Sequence, residues 1–76
     1  MRAIESMPEA EDKEVGQRLR LLREDAKLTQ VGLAEKSGVD ANTIARLERG
    51  EHTPSQSSLR KLATALKVTV SDILGY

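Results

Sequence analysis

The chain has no cysteine, no tryptophan and no phenylalanine, and Tyr76 is the single tyrosine among its 76 residues. Without cysteine there is neither a disulfide framework nor a thiolate metal site, which points to a cytoplasmic protein. Without large aromatics the core must be aliphatic, built from ten leucines together with valine, isoleucine and alanine. No apolar run approaches the roughly 18 residues of a membrane span. The opening stretch MRAIESMPEAEDKE lacks the apolar centre of a signal peptide, so neither a membrane nor a secretory route is expected. His52 is the only histidine; with no cysteine beside it, no metal and no cofactor is expected. A chain this short makes one domain at most, near the lower limit at which a hydrophobic core suffices.

Net charge is zero, yet its distribution is uneven. Residues 1–14 carry Glu5, Glu9, Glu11, Asp12 and Glu14 against Arg2 and Lys13, a net of −3. Residues 15–76 carry ten Lys/Arg against seven Asp/Glu, a net of +3. An acidic leader over 1–12 therefore precedes a mildly basic domain over 13–76, and charge position decides more than total charge.

No segment alternates with the two-residue period of a half-buried strand, whereas helical spacing recurs throughout. Val15, Leu19, Leu22 and Ala26 predict an amphipathic first helix, which can begin as early as Pro8 and fray before about Lys13. Thr29 as N-cap and Gly38 as a left-handed terminator bracket a second helix, with Leu33 and Ala34 inward. Gly32 inside it costs roughly 1 kcal/mol relative to alanine. Asp40 caps a third helix over 41–49 that stops at Gly50. Ser55 opens a fourth, with Leu59, Leu62, Ala63 and Leu66 inward. Thr69 and Asp72 have the spacing of a capping box for a short fifth helix. The predicted class is all-α, a compact bundle of about five short helices.

The third helix is unusual in its thin apolar stripe. Ile44 and Leu47 alone are large and apolar, while Asn42, Arg46 and Arg49 fall on the opposite side. Small Ala34, the turn at Gly38 and the clamp of Ile44 and Leu47 together form a helix-turn-helix layout, whose second helix must keep most of its circumference open.

On these residues the chain strongly resembles the phage Cro/repressor-like helix-turn-helix family. The resemblance is carried by Arg23, Gln30, Leu33-Ala34, Gly38-Val39, Ile44, Leu47-Glu48-Arg49-Gly50, Pro54-Ser55 and the closing Val-Thr-Val-Ser-Asp. It runs from about Val15 to Leu74, and the short stand-alone restriction–modification controller proteins are the most similar in plan. The implied fold is a lambda repressor-like DNA-binding domain. The implied function is sequence-specific transcriptional regulation on double-stranded DNA, with no enzymatic activity and no small-molecule ligand.

The resemblance also assigns roles. Ala41, Asn42, Thr43 and Arg46 match base-reading positions, where arginine forks onto guanine and asparagine pairs with adenine. Thr29, Gln30, Arg49, His52, Thr53 and Ser57, or Ser58 beside it, match positions that grip phosphates. Arg23 and Glu48 match an ion pair that positions the recognition helix. The apolar C-terminal cluster of Leu66, Val68, Val70, Ile73, Leu74 and Tyr76 matches a homodimer interface, and a two-fold dimer implies an inverted-repeat operator. Asp40 departs from the pattern: many relatives place a serine or threonine there, and a carboxylate suits capping but repels DNA. The rival expectation is an antitoxin-type protein-interaction module of the same fold, favoured by the zero net charge and the acidic leader.

Overall fold

The computed structural model describes residues 7–76. Five helices follow in order: α1 (Met7–Asp25), α2 (Gln30–Ser37), α3 (Ala41–Glu48), α4 (Gln56–Leu66) and α5 (Val70–Leu74), with no strand among the described residues. The all-α expectation holds. Residues 1–6 of the acidic leader lie outside the described residues. From Met7 onward α1 is continuous through the 12/13 boundary, and Asp12 is tied to the loop before α4.

Local chemistry starts and stops the helices where the sequence predicts. Thr29 accepts from the Gly32 N–H, Asp40 from the N–H groups of Asn42 and Thr43, and Ser55 from that of Ser58. Thr69 and Asp72 form both halves of a capping box. Each cap satisfies amides that have no partner inside the helix, typically worth about 1 kcal/mol. Gly38 ends α2 at φ 79°, a left-handed conformation in which it donates to the Ala34 carbonyl. Nothing stands within 4 Å of where its Cβ would be, so glycine is needed there for backbone conformation and not for space.

The core gathers residues of every helix. Leu19, Leu33, Ile44, Leu62 and Ile73 are essentially inaccessible, with Val15, Val39, Leu47, Leu59, Ala63, Ala65 and Leu66 buried around them. Leu22, Ala34, Val68, Val70 and Leu74 pack against this cluster while half-buried. Ala26, which the heptad-like spacing places on the inward stripe of α1, is exposed. The helix ends at Asp25 and Lys27 turns left-handed, so the periodicity no longer applies at Ala26.

Helix α3 packs on α1 and α2, while α5 packs on α1 and α4. At Gly16 the backbones of α1 and α3 nearly touch: a Cβ there would collide with the Leu47 carbonyl oxygen and stand 2.8 Å from that of Glu48. Near the start of α1, Lys13 lies equally close on Gly50. The long first helix thus braces the last turn of α3 at two glycines. At the other side, Arg18 reaches across to α5, donating from Nε to the Ile73 carbonyl at 3.0 Å and from a terminal nitrogen to that of Leu74. These are carbonyls that the short helix cannot satisfy itself.

Candidate nucleic-acid interface

Helix α3 buries Ile44 and Leu47 and leaves Asn42 and Arg46 exposed, with Ala41 and Thr43 half-exposed beside them. The four candidate base-reading residues therefore lie together on the outer side and N-terminal turn of one short helix. Its backbone is fixed at the start by the Asp40 cap, with bonds of 3.0 and 3.3 Å to the amides of Asn42 and Thr43. The same cap puts a carboxylate next to the candidate base readers.

The far end of α3 is held by charge. Arg23 of α1 grips Glu48 in a two-pronged ion pair, Nε to Oε2 at 2.6 Å and Nη2 to Oε1 at 3.0 Å. Arg23 also donates to the Leu28 carbonyl at 2.8 Å. The two side chains are 11% and 4% exposed, so the pair is largely shielded from water although it lies near the surface. The hydrogen bond to Glu48 raises the Arg23 guanidinium above its ordinary pKa against the opposing pull of burial.

One link of this network was not legible in the sequence. Gln30, the first residue of α2, donates its side-chain amide to Glu48 Oε1 at 3.0 Å. Glu48 thereby joins α1, α2 and α3 at one point. The other N–H of the Gln30 amide remains available for a phosphate, and the bond to Glu48 fixes the direction in which it points. Gln30 and Glu48 are eighteen positions apart, and no periodicity relates them.

The remaining candidates surround α3. Thr29 caps α2 through its Oγ1 and retains its own hydroxyl proton for donation. Arg46 Nη1 stands 3.4 Å from His52 Nε2, which places His52 beside a base-reading candidate as well as in the loop. Ser57 is exposed at the start of α4, whereas Ser58 is half-buried and its hydroxyl accepts from that of Ser55, so exposure favours Ser57 of the two. Arg49 is bound in a fork by Glu51, at 2.8 and 3.2 Å. Thr53 donates to the Asp12 carboxylate at 2.9 Å. Arg49's hydrogen bonds hold the Glu51 carboxyl below the usual carboxylate range, and the positive charges of Arg49 and Arg46 add to this. Neither Asp12 nor Glu51 figured in the sequence reading as part of this surface.

The six residues of the C-terminal apolar cluster divide in two. Leu66 and Ile73 point into the core of their own chain. Val68, Val70 and Leu74 are half-buried, and Tyr76 is 87% exposed. Among the described residues no group of acidic, histidine or cysteine side chains is placed to hold a metal. No described helix is long and apolar enough to cross a membrane.

Two short helices joined by a tight turn at Gly38 and packed on each other, the second with a narrow buried stripe and an open polar face, define a helix-turn-helix protein. The chain belongs to the helix-turn-helix family, whose model matches residues 19–73. It is 46% identical over 61 residues to the immunity repressor protein of Bacillus phage phi105, a match covering 80% of this chain and 42% of that protein. It is 43% identical over 60 residues to the HTH-type transcriptional repressor RghR of Bacillus subtilis (strain 168), covering 78% and 44%. The chain thus spans less than half the length of these two relatives. Among solved structures, the restriction–modification controller protein C.AhdI from Aeromonas hydrophila superposes with a TM-score of 0.81 at 39% identity, over 84% of this chain and 97% of that one.

Proposed function

We propose that this chain is a sequence-specific DNA-binding transcriptional regulator, a binding protein with no catalytic step, acting in the cytoplasm as a homodimer on an inverted-repeat operator. The observation that carries the reading is the open face of α3, with Asn42, Thr43 and Arg46 outward over a base clamped by Ile44, Leu47 and Glu48. A helix held only along one edge fits into a major groove, where each base pair presents a distinct pattern of donors and acceptors. The names of the relatives, an immunity repressor and a restriction–modification controller, support the same reading.

Affinity comes from the amides and side chains around Gln30, Arg49, Thr53 and Ser57, which face phosphates. Specificity comes from Arg46 on guanine, Asn42 on adenine, and the methyl groups of Ala41 and Thr43 near thymine. The surface for a second copy is formed by Val68, Val70, Leu74 and Tyr76, the members of the apolar cluster that the core leaves accessible. Two-fold pairing sets the two α3 helices about 34 Å apart, one turn of DNA.

Selection of duplexes from a random pool at moderate salt, followed by sequencing, tests this reading. The expected product is a two-fold-symmetric motif. Arg46→Ala should weaken binding to that motif by at least roughly thirtyfold, as expected for losing one bidentate base contact of about 1–3 kcal/mol in each half-site, and erase preference at one position of each half-site. Its binding to random duplex should change far less. Retained DNA without any enriched sequence would overturn the regulator reading in favour of a protein-interaction module.

A further inference from the structure

Two of the candidate phosphate-gripping groups, Arg49 and Thr53, are already occupied within the chain. The Arg49 guanidinium, whose planar fork suits a phosphate or a carboxylate equally, is filled by the two oxygens of Glu51. The Thr53 hydroxyl has its single proton directed onto the Asp12 carboxylate. Glu51 also sits within the field of Arg46, so one carboxylate faces two of the guanidinium groups gathered around the end of α3. Both carboxylates are brought here by the fold: Asp12 comes from α1, forty-one residues from Thr53, and Glu51 directly follows the glycine that ends the recognition segment.

We infer that Glu51 and Asp12 are specificity-determining residues that act as internal stand-ins for DNA phosphates. DNA must displace them before Arg49 and Thr53 can grip its backbone. This rests on the DNA-binding reading above and deepens it. Charge-driven attraction supplies essentially all the binding to DNA of arbitrary sequence. A surface whose cations are neutralised from within therefore binds arbitrary sequence weakly. Only a site whose base contacts with Asn42, Thr43 and Arg46 compensate the displacement is held. The near-zero net charge of the chain then has a local origin at the interface itself, not only in the leader.

The test is a salt-titrated binding measurement, by fluorescence anisotropy, of the full chain on a random-sequence duplex. Glu51→Gln keeps an oxygen for Arg49 but removes the charge, and Asp12→Asn keeps an acceptor for Thr53. Each unmasked cation steepens the log–log salt slope by about 0.9, which near 0.1 M salt corresponds to roughly eightfold tighter binding. Glu51→Gln should show a change of this size per bound protomer; Asp12→Asn, which frees a neutral hydroxyl and not a cation, should tighten binding modestly without steepening the slope, and the double variant should show both effects. Glu24→Gln, which removes the same charge from the exposed ion pair with Arg20 on α1, is the control and should leave the slope unchanged. The inference is overturned if Glu51→Gln leaves slope and affinity unaltered, or if Glu24→Gln steepens the slope equally, since total charge alone would then explain the effect. Failure of the DNA-binding reading shows separately, as absence of binding by the wild-type chain and every variant to random and selected duplexes alike.

Discussion

Replacing Glu48 by alanine is expected to lower the unfolding free energy by about 3 kcal/mol, the lower end for breaking a buried ion pair, because this one lies near the surface of a small domain. For a chain of this length total stability is roughly 4–11 kcal/mol, so the loss is a large share. Its cause is the Arg23 guanidinium, which keeps the Leu28 carbonyl but loses its paired carboxylate and retains only the more distant charge of Glu24. Gln30 loses its anchor in the same step. Urea denaturation followed by circular dichroism measures the change. The double variant Arg23→Met/Glu48→Leu separates stability from placement. Replacing a whole buried pair with apolar side chains is often neutral or stabilising, so the double variant should regain most of the lost stability. It should still bind the selected operator at least about tenfold more weakly, because Gln30 and the last turn of α3 are no longer set by one carboxylate, and small misplacements of contacting groups are costly. A double variant with wild-type operator affinity would reduce the pair to a purely structural role.

The second large effect is expected at Gly16. Valine there places a branched Cβ against the Leu47 and Glu48 carbonyl oxygens, which are backbone atoms and cannot rotate aside. Overpacking of this kind costs roughly 3 kcal/mol, which for a domain of this size lowers the melting temperature on the order of 15 °C. Operator binding should fall with it, since relieving the clash moves α3 away from α1. Gly32→Ala is the informative comparison. A Cβ at Gly32 meets the Thr29 Oγ1 at 3.2 Å and Leu28 at 3.6 Å, so the capping side chain must shift by a few tenths of an ångström, a cost that the gain of about 1 kcal/mol in helix propensity offsets. Its melting temperature should stay near or above that of the wild type. Equal losses at the two glycines would show that flexibility, and not close approach, is what Gly16 provides.

The two glycines illustrate how far sequence reading reaches. Both interrupt amphipathic helices, and propensity alone treats them alike. They differ because α1 crosses α3 within backbone contact distance at Gly16, while Gly32 faces only its own helix cap.

Sequence by itself determined whatever depends on neighbours within about one helical turn. The caps at Thr29, Asp40, Ser55 and Thr69, the reversal at Gly38, and the buried stripes of Leu59, Leu62 and Leu66 or of Ile44 and Leu47 are of this kind. Their partners lie three or four residues away, at distances that the helix repeat prescribes. The open face of α3 follows equally, since a stripe of two residues leaves the rest of the circumference uncovered. Tertiary structure alone decided how those elements meet. It spent Leu66 and Ile73 on the core while leaving Val68, Val70 and Tyr76 accessible, although all five share one apolar cluster in sequence. It turned Gln30 onto Glu48, brought Asp12 to Thr53, and laid Arg18 over the end of α5. Contacts between residues eighteen to fifty-five positions apart depend on helix crossing angles and separations, which arise from packing the whole core at once and leave no period in the chain.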